Sequence, residues 1–357
     1  MPTVNGLSKT VVIVANASVS AGGGHLRRCM VLGEALVAAG WKVMLALSDA
    51  AFAHLLSATQ PKIEVVVVRE YAAEALAAAF PDGCELLIVD HYGLDASFES
   101  ACRSWARRIL VVDDLADRQH DCDVLVDQTP GRMISDYQAL VPSSCKILAG
   151  PQYALLHRNF GVLRNPRRPT SERVQRGLIS FGATDPDDMT SVAMEVFQNS
   201  GLMVQLDIIL GRAAANIETV RAAAAGFTNG EATLHVEVSD PASIVRHADI
   251  AIGAGGVSAL ERCCLGIPSL IVSVADNQMG NALGIARAGA AMFVGSKSEI
   301  TLPLLEATLL KLANDSRARD VMATCGRELC DGLGPERIAH LLQDDWIKTG
   351  ERVLPGR

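Results

Sequence analysis

Short runs of β-branched and aliphatic residues recur along the chain, separated by stretches of helical period. In the first half they predict strands over 10–15, 43–47, 64–68, 85–90, 108–113 and 123–127. Each run is four to six residues long and apolar almost throughout, as suits strands buried on both faces. A helix is predicted from about Leu26 to Ala39, with Gly40 in the stop position. The pattern breaks at 164–176, a polar, proline-containing stretch that reads as a linker. It resumes with runs at 177–181, 204–210, 233–238, 249–252 and 269–274. From Thr301 to about Lys348 the chain reads as mostly helical, with Pro335 placed to open the last helix. Strand–helix alternation of this kind predicts parallel, doubly wound sheets. The expected organisation is a first domain over 1–163, a linker over 164–176 and a second domain over 177–357, with a ligand cleft between two similar halves.

Composition narrows the picture. The 357 residues are 49% hydrophobic and only 4% aromatic, so Val, Ile, Leu and Ala must build the cores. That excludes disorder as the main state. A net charge of -8 argues against a nucleic-acid binder, which would show a basic surface. Nine cysteines without a Cys-x-x-Cys pair read as reduced thiols, not a zinc ribbon. The apolar run 11–15 is too short for a signal peptide, and no stretch approaches the ~18–20 apolar residues of a membrane span. The expectation is a cytoplasmic protein.

Candidate chemistry lies in the loops that follow strands. Asn16-Ala17-Ser18-Val19-Ser20-Ala21-Gly22-Gly23-Gly24-His25 follows the first strand, and His25 opens a helix. Open α/β sheets bind ligands at such strand ends. The helix N-terminus favours the neutral ring that a base needs. The loop lacks the last glycine of a dinucleotide fingerprint, and a plain glycine-rich turn is the alternative. Asp90-His91-Tyr92-Gly93 brings an acid, an imidazole and a phenol to the same rim, or simply ends a strand. Asp113-Asp114 fits turn and cap roles better than a metal site. In the second half, Ser180-Phe181-Gly182-Ala183-Thr184-Asp185 leads into a helix expected near Pro186, an arrangement able to hold a diphosphate. Ile252-Gly253-Ala254-Gly255-Gly256-Val257-Ser258-Ala259-Leu260-Glu261 is the stronger signal. Its glycines admit phosphates, and Glu261 can accept ribose hydroxyls; a tight turn with an exposed glutamate is the bland reading. Asn277 and Gln278 place amides where sugar hydroxyls or acyl groups could be read, or are ordinary loop polarity.

Together these segments resemble the UDP-2,4-diacetamido-2,4,6-trideoxy-β-L-altropyranose hydrolases of pseudaminic acid synthesis. The likeness runs from about Val11 to Ala290. It includes Gly22-Gly-Gly-His25-Leu-Arg-Arg28-Cys29, Leu87-Ile-Val-Asp-His-Tyr-Gly-Leu-Asp95, Val111-Val-Asp-Asp-Leu-Ala-Asp117 and Gly150-Pro-Gln-Tyr-Ala-Leu-Leu156. It also includes Asp136-Tyr-Gln-Ala-Leu-Val-Pro142 and Glu261-Arg-Cys-Cys-Leu-Gly266. That family is similar in fold to the GT-B glycosyltransferases of the lipid II type. The resemblance implies two Rossmann-like domains facing across a cleft, UDP in the second half and the sugar against the first. It implies inverting hydrolysis of the anomeric C–O bond, without metal or cofactor, in making a flagellin or surface glycan. His25 would be the general base and Tyr92 would orient substrate or water. Asn16, Ser18, Gly22, Gly24 and Arg28 would line the sugar side. Gly182, Thr184, Gly255, Gly256 and Ser258 would hold the diphosphate, Glu261 the ribose, and Asn277 with Gln278 the sugar. The expected partner is a UDP-linked diacetamido-trideoxy sugar, with neither nucleic acid nor membrane. Asn16 stands where the family usually has an acid, and Val257 where Ser or Thr is frequent, which fits a relative acting on a related UDP-diacetamido sugar. A UDP-sugar glycosyltransferase and a non-catalytic nucleotide-sugar sensor are the competing readings.

Overall fold

Alternate residues of β1 (Thr10–Ala15) enter two different cores, which is what a strand covered on both faces requires. Val11, Ile13 and Ala15 pack with Leu26, Leu32 and Leu36 of the helix Gly24–Ala38. Val12 and Val14 pack with Leu76, Phe80 and Trp105 on the other side. The computed structural model describes residues 9–16, 24–48, 62–165 and 171–348, with side chains to Gln343.

The first sheet continues with β2 (Lys42–Leu47), β3 (Glu64–Val67), β4 (Cys84–Asp90), β5 (Ala106–Val112), β6 (Val124–Asp127) and β7 (Lys146–Ala149). Its order is β3-β2-β1-β4-β5-β6-β7, all parallel. The second sheet contains β8 (Arg176–Ser180), β9 (Val204–Leu210), β10 (Gly230–Val236), β11 (Ile250–Ala254), β12 (Ser269–Ser273) and β13 (Met292–Ser296). It is also parallel, in the order β10-β9-β8-β11-β12-β13. Strand order therefore reverses between β1 and β4 in one sheet and between β8 and β11 in the other. Open α/β sheets receive ligands at such switch points.

Helix ends follow the glycine signals. Gly40 has φ +86°; its N–H bonds Val37 O while Trp41 N–H bonds Leu36 O, forming a Schellman cap. The stretch 301–348 is helical as read, in segments Leu302–Ala313, Ser316–Leu329 and Gly334–Lys348. No helix among the described residues is long and apolar enough to cross a membrane.

The chain divides into two units at boundaries other than those read from the linker. Arg132–Leu155 and the residues from Leu333 onward group with the first unit, whereas Leu156–Gly332 and Thr129–Gly131 form the second. The helix Arg158–Leu163 packs on the helices Pro241–Val245 and Val257–Leu265, which draws it into the second unit. The helix Gly334–Lys348 buries Ile338, Ala339 and Leu342 in the first unit's core and packs on Gly24–Ala38.

Candidate functional site

In the first unit, β4 ends on Asp90, which pairs in register with Ala15 at the end of β1. The next helix on β1 places His25, Arg28 and Cys29 on one face, at spacings of three and four residues. All three turn onto the same carboxylate. His25 Nδ1 lies 2.6 Å from Asp90 Oδ1, and Arg28 donates from Nε and Nη2 to the two oxygens at 2.6 and 2.7 Å. Cys29 Sγ donates to Oδ2 at 3.4 Å. Asp90 is 0% exposed, Arg28 4% and His25 7%. Burial alone would raise the Asp90 carboxyl, but the Arg28 charge and the donors from Arg28 and His25 outweigh it and hold it well below the usual range. An ionised carboxylate only accepts, so the Nδ1 of His25 carries a proton, and in the neutral ring the lone pair is then on Nε2. Arg28 Nη2, 3.2 Å from Nδ1, is then a close neighbour and not a hydrogen bond to it. Burial, then Asp90, pushes the Cys29 thiol well up, so it stays protonated.

Asp114 closes the circuit. It accepts from Arg28 Nη1 at 2.8 Å and from the Tyr92 hydroxyl at 2.9 Å. The Tyr92 ring stands edge-on to His25, centroids 4.5 Å apart. Asp113 has the turn role read for the acid pair, accepting from Leu115 and Ala116 N–H. Below, Arg132 donates to Asp127 and to the Asp114 carbonyl. His91 is drawn down by burial and by the neighbouring His25.

The structure thus brings His25, Arg28 and Tyr92 together with Asp90, read as an acid at the same rim but given no role, and with Asp114, read as a turn or cap residue. Both acids were visible as the first and last letters of the Asp-His-Tyr-Gly and Asp113-Asp114 segments. Arg28 differs from expectation: all its nitrogens serve two carboxylates and it is buried, so it braces the site instead of facing a ligand. Asn16 donates its N–H to Asp90 O beside this cluster, and Gly24 is exposed at the helix start. Ser18 and Gly22 lie outside the described residues.

In the second unit, Gly253 pairs with Ser180, so the loops after β11 and β8 leave adjacent strand ends. Gly255 and Gly256 are held by three hydrogen bonds from two side chains. Gln278 Oε1 accepts from Gly255 N–H at 3.2 Å, and Asn281 donates to the carbonyls of Gly255 and Gly256 at 2.5 and 3.0 Å. Gln278 therefore uses its amide oxygen to brace the loop, where a sugar contact was expected. Asn277 is exposed in the turn after β12. Ser258 and Glu261 are half-buried on the helix Val257–Leu265, which begins at this loop. Gly182 is exposed with φ +96°, and Thr184 is half-buried in the same loop. The helix expected near Pro186 starts at Met189, because Asp185 accepts from Met189 and Thr190 N–H.

No family model matches the chain. The spore coat polysaccharide biosynthesis protein SpsG of Bacillus subtilis is 27% identical over 210 residues, covering 57% of this chain and 60% of that protein. The UDP-2,4-diacetamido-2,4,6-trideoxy-beta-L-altropyranose hydrolase of Campylobacter jejuni is 29% identical over 181 residues, covering 49% and 61%. The chain thus matches about three fifths of the length of these curated relatives. Among solved structures, MurG of Acinetobacter baumannii superposes with a TM-score of 0.65 at 17% identity, over 94% of this chain and 99% of that one. By fold the chain is a GT-B protein, and by sequence it is similar to a UDP-sugar hydrolase and to a spore-coat polysaccharide protein.

Proposed function

We propose that the protein hydrolyses a UDP-linked 2,4-diacetamido-2,4,6-trideoxy sugar at the anomeric C–O bond, with inversion. The observation that carries this reading is His25, its Nδ1 held by the ionised Asp90 at 2.6 Å at a switch point of the first sheet. Water attacks C1 and gives its proton to His25 Nε2, while the C–O bond breaks and UDP departs with the electron pair. UDP is a good leaving group, so loop N–H donors suffice for the charge it takes away. Asp90 fixes the tautomer and stabilises the imidazolium, by the logic of an orienting acid behind a histidine base. Tyr92, tied to Asp114, orients substrate or water. Asn16 and Gly24 line the sugar side. Gly182, Thr184, Gly255, Gly256 and Ser258 take the diphosphate, Glu261 the ribose and Asn277 the sugar. The similarity to the Campylobacter hydrolase supports the sugar class and a place in pseudaminic acid synthesis. Nine free thiols support a cytoplasmic setting.

The test is NMR of the reaction with the UDP-altropyranose in ¹⁸O-labelled water. Label in the free sugar, with the opposite anomer formed first, is expected, and His25→Ala lowers kcat by about 10²–10⁴-fold. Label in UDP would refute C–O cleavage. Full activity of His25→Ala would remove the base. UDP release only with an added acceptor alcohol would make the protein a transferase.

A further inference from the structure

Arg262, 1% exposed, is with Arg319 one of the two largest fully buried side chains among the described residues, and it is the one that lies against the glycine loop after β11. It sits on the helix Val257–Leu265 and turns back beneath the loop where that helix begins. Among the described residues its hydrogen-bond partners are all neutral. Nη2 donates to the Ala254 carbonyl at 2.8 Å, Nε to Ser269 Oγ at 3.2 Å and Nη1 to Ser258 Oγ at 3.4 Å. The guanidinium lies so close under Gly253 that a Cβ there would come within 2.7 Å of Nη1. Burial pulls its pKa down, opposed by Cys263 and Glu261, to about 10, so it remains a cation at neutral pH.

A buried guanidinium is costly unless its charge is answered. Arg28, the buried arginine of the first unit's site, is answered by two carboxylates, whereas the buried Arg319 of the second unit is answered by backbone carbonyls far from the glycine loop. Arg262 is answered by a carbonyl and two hydroxyls, and it lies below a glycine loop braced by Gln278 and Asn281. We propose that Arg262 is the positioning cation of this loop: it fixes the Ala254 and Ser258 ends and supplies positive potential from below for an anionic group, the diphosphate of the nucleotide, bound above. The proposal rests on the UDP reading and assigns a role to a residue that does not itself touch the ligand.

The test compares UDP with uridine, which lacks the phosphates, by calorimetry on Arg262→Gln and Arg262→Lys, with thermal melts confirming that each is folded. Arg262→Gln keeps a donor and loses the charge; its preference for UDP over uridine falls at least tenfold, about 1.4 kcal/mol. Arg262→Lys keeps the charge and loses the fork; its preference stays within about threefold of wild type. A parallel loss of UDP and uridine affinity in Arg262→Gln, or an unchanged preference, overturns the proposal. If Arg262→Gln does not fold, Arg262→Lys decides, and a tenfold fall in its preference overturns the proposal. Wild-type protein that binds no UDP overturns the nucleotide reading itself, a result distinct from any difference between variants.

Discussion

Asp90 gathers donors from His25, Arg28 and Cys29, and removing one of them has a calculable sign. Its folded pKa lies below the unfolded value near 3.9. Its pairing therefore stabilises the fold fully above pH ~4 and is lost as pH falls through the depressed value. In Arg28→Met, burial is no longer outweighed and the carboxyl moves up. Asp90 then destabilises the fold at neutral pH and relents as pH falls. The expected gap from wild type is about 3–5 kcal/mol at pH 7, the cost of breaking a buried pair, narrowing toward pH 3. Urea unfolding at several pH values checks this, and a constant gap would contradict it. At this scale His25 drew notice because it opens a helix after a glycine-rich loop, and Tyr92 because a phenol stands two residues past the end of β4. Asp90 and Asp114 were harder to assign, because an acid after a strand reads alike whether it caps a turn or braces a residue 65 positions away.

Elements were more legible than their partners. A strand as nearly apolar as β1 stood out, whereas β7 and β13 did not. Each is a short edge strand, half-exposed along much of its length, and its apolar run is brief, 147–149 in one and 292–294 in the other. Gly40 was readable as a stop since only its positive φ closes the cap cheaply. Gly253 is different: its φ is ordinary, and what demands glycine is space. A built Cβ meets the Ser180 carbonyl of the neighbouring strand and the Arg262 guanidinium. Gly253→Ala should cost about 1–3 kcal/mol by overpacking. It should also weaken UDP binding, because the loop must shift; a melt and a calorimetric titration read the two effects. An unchanged melting temperature would mean that the strand ends yield freely.

For the whole molecule, the alternating pattern made two doubly wound sheets legible, and the domain boundary was where reading failed. The polar stretch at 164–176 looks like a linker, yet grouping is decided by what the helix Arg158–Leu163 and the last helix pack against. Composition is blind to that. Truncation after Gly332 removes Ile338, Ala339 and Leu342 from the first unit's core. At about 1.5–3 kcal/mol for each of the two large side chains, the first unit should lose roughly 3–6 kcal/mol while the second keeps its stability. Hydrogen exchange resolved by segment would show it; uniform loss in both units would argue against the division.

That same helix sets an order of events during synthesis. Domains generally fold as they emerge, N-terminal first, at about 5–20 residues per second. Here the sheet made first lacks a piece of its core until the helix Gly334–Lys348 has left the ribosome, roughly 190 residues and on the order of 10–40 s after Leu155. The second unit, nearly contiguous in sequence, has all its strands before then. The half of the protein that holds His25 and Asp90 is begun first and completed last, so its exposed apolar face is the one that nascent-chain chaperones would meet.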